Sequence, residues 1–108
     1  MRQYPIPPCK AYIAGPMTGK PSWNFPAFFA EAAVLRAEGF EVINPAELDD
    51  GDPETLIWSD CLKRDIPELV RCQAIVLLPG WSESRGAQLE HHVACELGLQ
   101  IVYPLGWL

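Results

Sequence analysis

Leu77-Leu78-Pro79-Gly80-Trp81-Ser82-Glu83-Ser84-Arg85-Gly86-Ala87-Gln88-Leu89-Glu90 is the stretch on which the reading of this chain turns. The apolar run from Ala74 to Leu78 reads as a buried strand that stops at Pro79-Gly80. A short polar loop follows, and a helical pattern then extends from about Arg85 to Leu99. Within it Gly86, Glu90, Val93, Ala94 and Leu97 recur at the spacing of one helical face. Glu90 is therefore a carboxylate on the stripe that packs against a sheet. Burying an unpaired carboxylate costs several kcal/mol or forces it to protonate. The position, about one turn inside a helix, favours the ionised form. An ionised and poorly solvated carboxylate at the mouth of an α/β sheet is a good nucleophile or base. The other reading is a Glu at the edge of the stripe that reaches water by its own length.

Beyond this helix, Gln100-Ile101-Val102-Tyr103 reads as a further strand, and residues 104–108 form an apolar tail. Before the Ala74 strand, a helical pattern begins near Thr55. Trp58, Cys61, Leu62, Asp65, Ile66 and Leu69 share one of its faces, so Asp65 is a second carboxylate on an apolar stripe. Pro67 cannot donate to the carbonyl of Lys63, and it predicts a kink or a restart there. Asp65 then has two readings, a site carboxylate or the N-cap of a restarted segment. Further back, Ala46 to Glu54 reads as an acidic loop, and Phe40-Glu41-Val42-Ile43 as a strand ending at Asn44-Pro45. Asn24 is placed to cap a helix with Pro26 in its first turn. That helix carries Phe28, Phe29, Ala32, Ala33 and Leu35, a stripe read as core, and stops at Gly39, a natural residue just past a helix end. Ala11-Tyr12-Ile13-Ala14 is the first strand, after a proline-rich extended lead-in over residues 1–9. The loop Gly15-Pro16-Met17-Thr18-Gly19-Lys20-Pro21 closes it. This loop is not a Walker A motif, because three residues rather than four separate its glycines and Pro21 follows the lysine. Its glycines permit close approach of backbone to a ligand.

The order is β-α-β-α-β-α-β. Short apolar strands alternating with helices imply an α/β fold with a parallel sheet covered on both faces and right-handed crossovers. No repeat, low-complexity run or linker divides the 108 residues, so 1–108 is read as a single domain. Ligands of such sheets bind beyond the carboxyl ends of the strands. That rim holds Gly15 to Lys20, Asn44-Pro45, Gly80 to Gly86 and the start of the Glu90 helix.

Composition narrows the classes. The formal charge is −6, from 8 basic and 14 acidic side chains, which argues against a surface that grips nucleic-acid backbone. A small nucleotide held by a few backbone amides remains compatible. The four cysteines, Cys9, Cys61, Cys72 and Cys95, form no C-x-x-C pair, so neither zinc nor a disulfide framework is expected. Reduced, mostly buried thiols in a cytoplasmic protein are expected instead. No signal core and no run of about 20 apolar residues is present, so no membrane association is expected. His91 and His92 point about 100° apart on a helix, a poor metal site and better read as solvent-facing or as a subunit contact. A small core and an apolar tail suggest a homodimer or higher homo-oligomer.

Taken together, several blocks resemble the nucleoside 2-deoxyribosyltransferase-like superfamily, and within it a branch of small bacterial and phage proteins. They are Tyr12-Ile13-Ala14-Gly15-Pro16-Met17-Thr18-Gly19, Asn24, Asn44-Pro45, Arg64-Asp65-Ile66, Leu78-Pro79-Gly80-Trp81 and Ser84-x-Gly86-Ala87-x-x-Glu90. The similarity spans about residues 10 to 103. It implies a flavodoxin-like, three-layer α/β/α fold with a four-stranded parallel sheet in the order 2-1-3-4. It implies cleavage of the N-glycosidic bond of 2′-deoxynucleosides or their 5′-monophosphates, with the sugar passed to another base or to water. Glu90 matches the family nucleophile, Asp65 the acid that assists at the base, and Tyr12 the residue that orients the nucleophile. Ser82 or Ser84 matches the serine that holds phosphate in the monophosphate hydrolases. Gly15, Met17, Asn44, Gly80, Trp81 and Gly86 complete the expected substrate contacts, with Trp81 or Met17 as a base-stacking side chain. The resemblance implies no cofactor and no metal, and a nucleoside or nucleotide as the small-molecule partner.

The chemistry asks for two carboxyl groups. One traps the oxocarbenium-like sugar as the base departs, and the other, its pKa raised by burial, protonates the base. Transferases of the superfamily are longer and often carry Asp where this chain has Ser82-Glu83-Ser84, which favours hydrolysis over transfer. Two other classes compete: a non-catalytic nucleotide-binding or sensor module of the same fold, and an interaction protein that assembles through Trp107 and Leu108.

Overall fold

A computed structural model describes residues 9–48 and 58–104 of the chain. The expected lead-in before Cys9, the acidic loop after Leu48, the expected start of the third helix and the tail after Pro104 lie outside the described residues.

The elements run β1 (Lys10–Ala14), α1 (Phe25–Ala37), β2 (Glu41–Ile43), α2 (Pro45–Leu48), α3 (Trp58–Leu69), β3 (Ala74–Leu77), α4 (Arg85–Glu96) and β4 (Gln100–Val102). Short 3-10 turns over Pro21–Asn24 and Trp81–Glu83 precede α1 and α4. The four strands form one sheet in the order β2-β1-β3-β4, with every pairing parallel. Helices cover both faces, giving the three-layer α/β architecture that the alternation of elements implies. No helix among the described residues is long and apolar enough to cross a membrane.

Central strands β1 and β3 are buried almost throughout, as strands covered on both faces must be. Their period of two divides the interior. Ala11, Ile13, Ala74 and Val76 join Phe28, Ala32 and Leu35 of α1 in one core, whereas Tyr12, Ala14, Ile75 and Leu77 join Leu69, Ala87 and Ala94 of α3 and α4 in the other. Burying each such side chain contributes roughly 1.5–3 kcal/mol. Of the expected α1 stripe, Phe28, Ala32 and Leu35 are interior, whereas Phe29 is 45% exposed and Ala33 also faces out. Gly39 follows the end of α1 at φ 97°, the left-handed conformation expected of a residue in that place.

Several local expectations are corrected. Ala46 to Leu48 is helical, not loop: the Asn44 side-chain oxygen accepts from the Ala46 amide at 3.0 Å and starts α2. Helix α3 passes through Pro67 without restarting, so Asp65 is a mid-helix residue and not an N-cap. Pro67 and Lys63 are both exposed, and the missing hydrogen bond falls on the solvent side. Helix α4 ends at Glu96, which leaves Leu97 as its 53% exposed C-cap and not a member of the packed face. Asn24 occupies the N-cap position of α1 without capping it. The cysteines are free, but only Cys72 is buried; Cys9 and Cys61 are partly exposed and Cys95 is exposed.

Candidate functional site

Where the strands end, the chain crosses the rim of the sheet three times and leaves a cavity of about 750 Å³ between the layers. The loop after β1 contributes Gly15, Pro16, Met17, Thr18 and Lys20; the segment entering α1 contributes Trp23, Phe25 and Phe28; Pro45 closes the side of β2. Helix α3 presents Cys61, Leu62 and Asp65, and the loop after β3 with the first turns of α4 presents Gly80, Glu83 to Ala87 and Glu90.

Glu90 is 7% exposed and Asp65 is 6% exposed, and both face this one cavity. Each is carried there by helical spacing: α4 packs Ala87, Glu90 and Ala94 inward, and α3 packs Asp65 and Leu69. Beneath Glu90 lies Tyr12, wholly buried in the middle of β1, whose hydroxyl donates to Oε2 of Glu90. Burial pushes the Glu90 carboxyl up to about 8; the Tyr12 hydroxyl opposes that rise, nearby Asp65 adds to it and Arg64 opposes it. The Tyr12 phenol is held well above its usual range by burial first and then by the charges of Glu90 and Asp65, so it acts as a hydrogen-bond donor and not as an acid. Asp65 accepts from Nε of Arg64 at 2.7 Å, while Nη1 of Arg64 reaches the Leu48 carbonyl at 3.3 Å. The cavity thus holds two carboxyl groups of different character, one with a phenol and one with a guanidinium.

The expected substrate contacts divide. Gly15, Met17, Gly80, Ser84 and Gly86 line the cavity together with Asp65 and Glu90, whereas Tyr12 lies under it as a support for Glu90. Asn44, Trp81 and Ser82 are not on its wall. Asn44 is 1% exposed and shapes the turn into α2, and its Nδ2 has no partner among the described residues. Trp81 packs against the second core with its ring 4.4 Å from that of His91. Ser82 faces solvent, and its carbonyl accepts from the Gln88 side chain. Ser84 is the N-cap of α4, with its hydroxyl accepting from the Ala87 amide at 3.2 Å. Gly15 is required by packing as much as by any ligand, because a Cβ there would stand 2.8 Å from Cβ of Leu78. No cluster of three potential metal ligands occurs among the described residues.

Sequence reasoning missed the segment entering α1. Ser22, Trp23 and Asn24 lie at φ 51°, 55° and 59°, three consecutive non-glycine residues in the left-handed region. Such a conformation costs about 1–2 kcal/mol per residue, less for Asn. The Asn24 side chain does not cap the helix but donates to the Pro16 carbonyl at 2.9 Å, tying the turn to the loop after β1. The only sequence signal for this segment is its place immediately after a rim loop; no turn rule predicts Ser-Trp in that conformation. Arg64 was also passed over as a site residue, although its adjacency to Asp65 was visible.

No curated protein matches the chain. A family model does match it, over residues 9–103, which takes in every element of the sheet and the whole cavity. The chain belongs to the family described as Domain of unknown function (DUF4406).

Proposed function

We propose that this protein cleaves the N-glycosidic bond of 2′-deoxynucleosides or their 5′-monophosphates, as an N-glycosidase or a deoxyribosyl transferase of the nucleoside 2-deoxyribosyltransferase-like superfamily. The observation that carries the reading is the pair of buried carboxyl groups, Glu90 and Asp65, facing one rim cavity, with the Tyr12 hydroxyl on Glu90.

In this mechanism the ionised Glu90 attacks the anomeric carbon. The bond from that carbon to the base nitrogen breaks as the new carbon–oxygen bond forms, and Asp65 delivers a proton to the departing base. Water then attacks the same carbon, gives its proton to the Asp65 carboxylate and releases Glu90. Tyr12 fixes which Glu90 oxygen is free to attack, because the other accepts its hydroxyl. A carboxyl with a pKa of about 8 is mostly protonated at pH 7, so the competent fraction, and with it kcat/KM, rises as the pH climbs toward 8. The positions of Ser84, Lys20 and Arg85 on the cavity wall suit an anionic substituent and favour monophosphates.

One observation favours the second reading, a non-catalytic nucleotide-binding module. A neutral Glu90 is a buried hydrogen-bond donor, suited to holding a ligand without attacking it. Chromatography of free base released from the natural deoxynucleosides and their monophosphates tests the two. Release by the unsubstituted protein, reduced at least about a thousandfold by Glu90→Gln, is expected. Saturable binding without release, retained by Glu90→Gln, would establish the module instead.

A further inference from the structure

The rim cavity is built from both layers. Its carboxyl groups come from α3 and α4, packed on one face of the sheet, while its aromatic side comes from the segment leading into α1 on the other face. Trp23 is the largest ring on that side. It is only partly buried and belongs to neither core cluster, in contrast to Met17 and Phe25, which pack against the α1 core, and to Trp81, which packs into the opposite one. Its position therefore is not explained by packing. The backbone that presents it is held in three successive left-handed conformations, and Asn24 gives up the capping of α1 to bind the Pro16 carbonyl at 2.9 Å. A turn that forgoes a helix cap and adopts disfavoured dihedrals, with a large ring facing a cavity at its centre, is arranged to preset that ring.

We infer that Trp23 is the stacking wall for the planar heterocycle of the ligand, and that the Asn24–Pro16 tie holds it ready before the ligand arrives. The ligand spans the rim, with its sugar at Glu90 and Asp65 and its base against the indole. An indole face accepts any flat ring, so Trp23 selects for the presence of a base more than for its identity. This rests on the reading of the ligand as a nucleoside or nucleotide.

Binding measurements in a Glu90→Gln background, where nothing is turned over, test it. The probes are the four natural 2′-deoxynucleoside 5′-monophosphates and, as a base-free control, 2-deoxyribose 5-phosphate. Trp23→Leu is expected to weaken binding of the preferred nucleotide by about tenfold or more while leaving 2-deoxyribose 5-phosphate unchanged. Trp23→Phe is expected to retain most of the nucleotide affinity. Asn24→Gly keeps the left-handed backbone accessible but loses the tie, and it is expected to show a smaller loss confined to the nucleotide. Equal losses for both ligands in Trp23→Leu, no loss for either, or no nucleotide binding by the parent would each overturn the inference. Should Trp23→Leu fail to fold, Trp23→Phe and Asn24→Gly decide: an unchanged sugar phosphate with a selective nucleotide loss in Asn24→Gly supports the wall, and parallel losses in both variants overturn it. If the unsubstituted protein releases no base yet Trp23→Leu loses nucleotides selectively, the glycosidase reading fails and the stacking wall stands.

Discussion

The two faces of the sheet differ in kind. On the α1 face, Ile13, Val76, Phe28, Ala32 and Leu35 make a core without an ionisable group among its buried members. On the α3/α4 face, the same two central strands contribute Tyr12, Ile75 and Leu77, and the helices above them bury Asp65 and Glu90. A single step along β1, from Tyr12 to Ile13, passes from one regime to the other. Alternation in a central strand thus separates the residues that hold the fold from those held by it. The α1 face gains free energy from every buried atom, whereas the other face gives some back to keep carboxyl groups out of water.

The apolar face carries the largest expected effect. Leu35→Ala, at a fully buried position, is expected to cost about 2–5 kcal/mol in denaturant unfolding, with KM for the substrate unchanged wherever the variant is folded. Glu90→Gln tests the opposite side. The folded chain holds a proton on Glu90 that the unfolded chain releases between pH 4.5 and about 8. The Glu90 contribution is therefore fully favourable below pH 4.5 and is lost as the pH rises through about 8. Melts across that window should show the unsubstituted protein losing stability relative to Glu90→Gln, by on the order of a few kcal/mol. A difference that is flat with pH would mean that the carboxyl is not buried in the free protein.

Tyr12→Phe acts within the polar face. The hydroxyl favours the ionised carboxylate, so its removal should move the rising limb of kcat/KM to a pH above about 8 and lower the rate at pH 7 by roughly tenfold. An unshifted limb would disconnect Tyr12 from Glu90. The smallest effect belongs to the surface. Arg36 grips Glu47 with two contacts of 2.6 and 2.7 Å, but both side chains are well exposed, and Glu47→Gln is expected to cost no more than about 1 kcal/mol in the same unfolding assay.

Much of this was legible in the chain. The strands, their parallel arrangement, and the placement of Glu90 and Asp65 on inward stripes follow from period and spacing, because amphipathic patterns are imposed by burial itself, whereas the order 2-1-3-4 came with the family resemblance. The substrate wall was less legible. Trp81 follows Gly80 at the rim, yet it is absent from the cavity wall and its ring lies 4.4 Å from that of His91. Trp23 gave no signal, since its conformation depends on a tie from Asn24 to a carbonyl eight residues earlier. Pro67 looked like a helix breaker and is not one, because its unmade bond lies on the solvent side of α3.

Hydrophobic periodicity, a property of the chain alone, was enough for the layers, the alternation of strands and helices, and the two carboxylates that face the interior. Tertiary structure decided what surrounds each carboxyl, because that depends on residues distant in the chain, as Tyr12 is 78 residues from Glu90. It also decided which aromatic side chains line the cavity. Burial and charge act through space, and only the folded chain sets those distances.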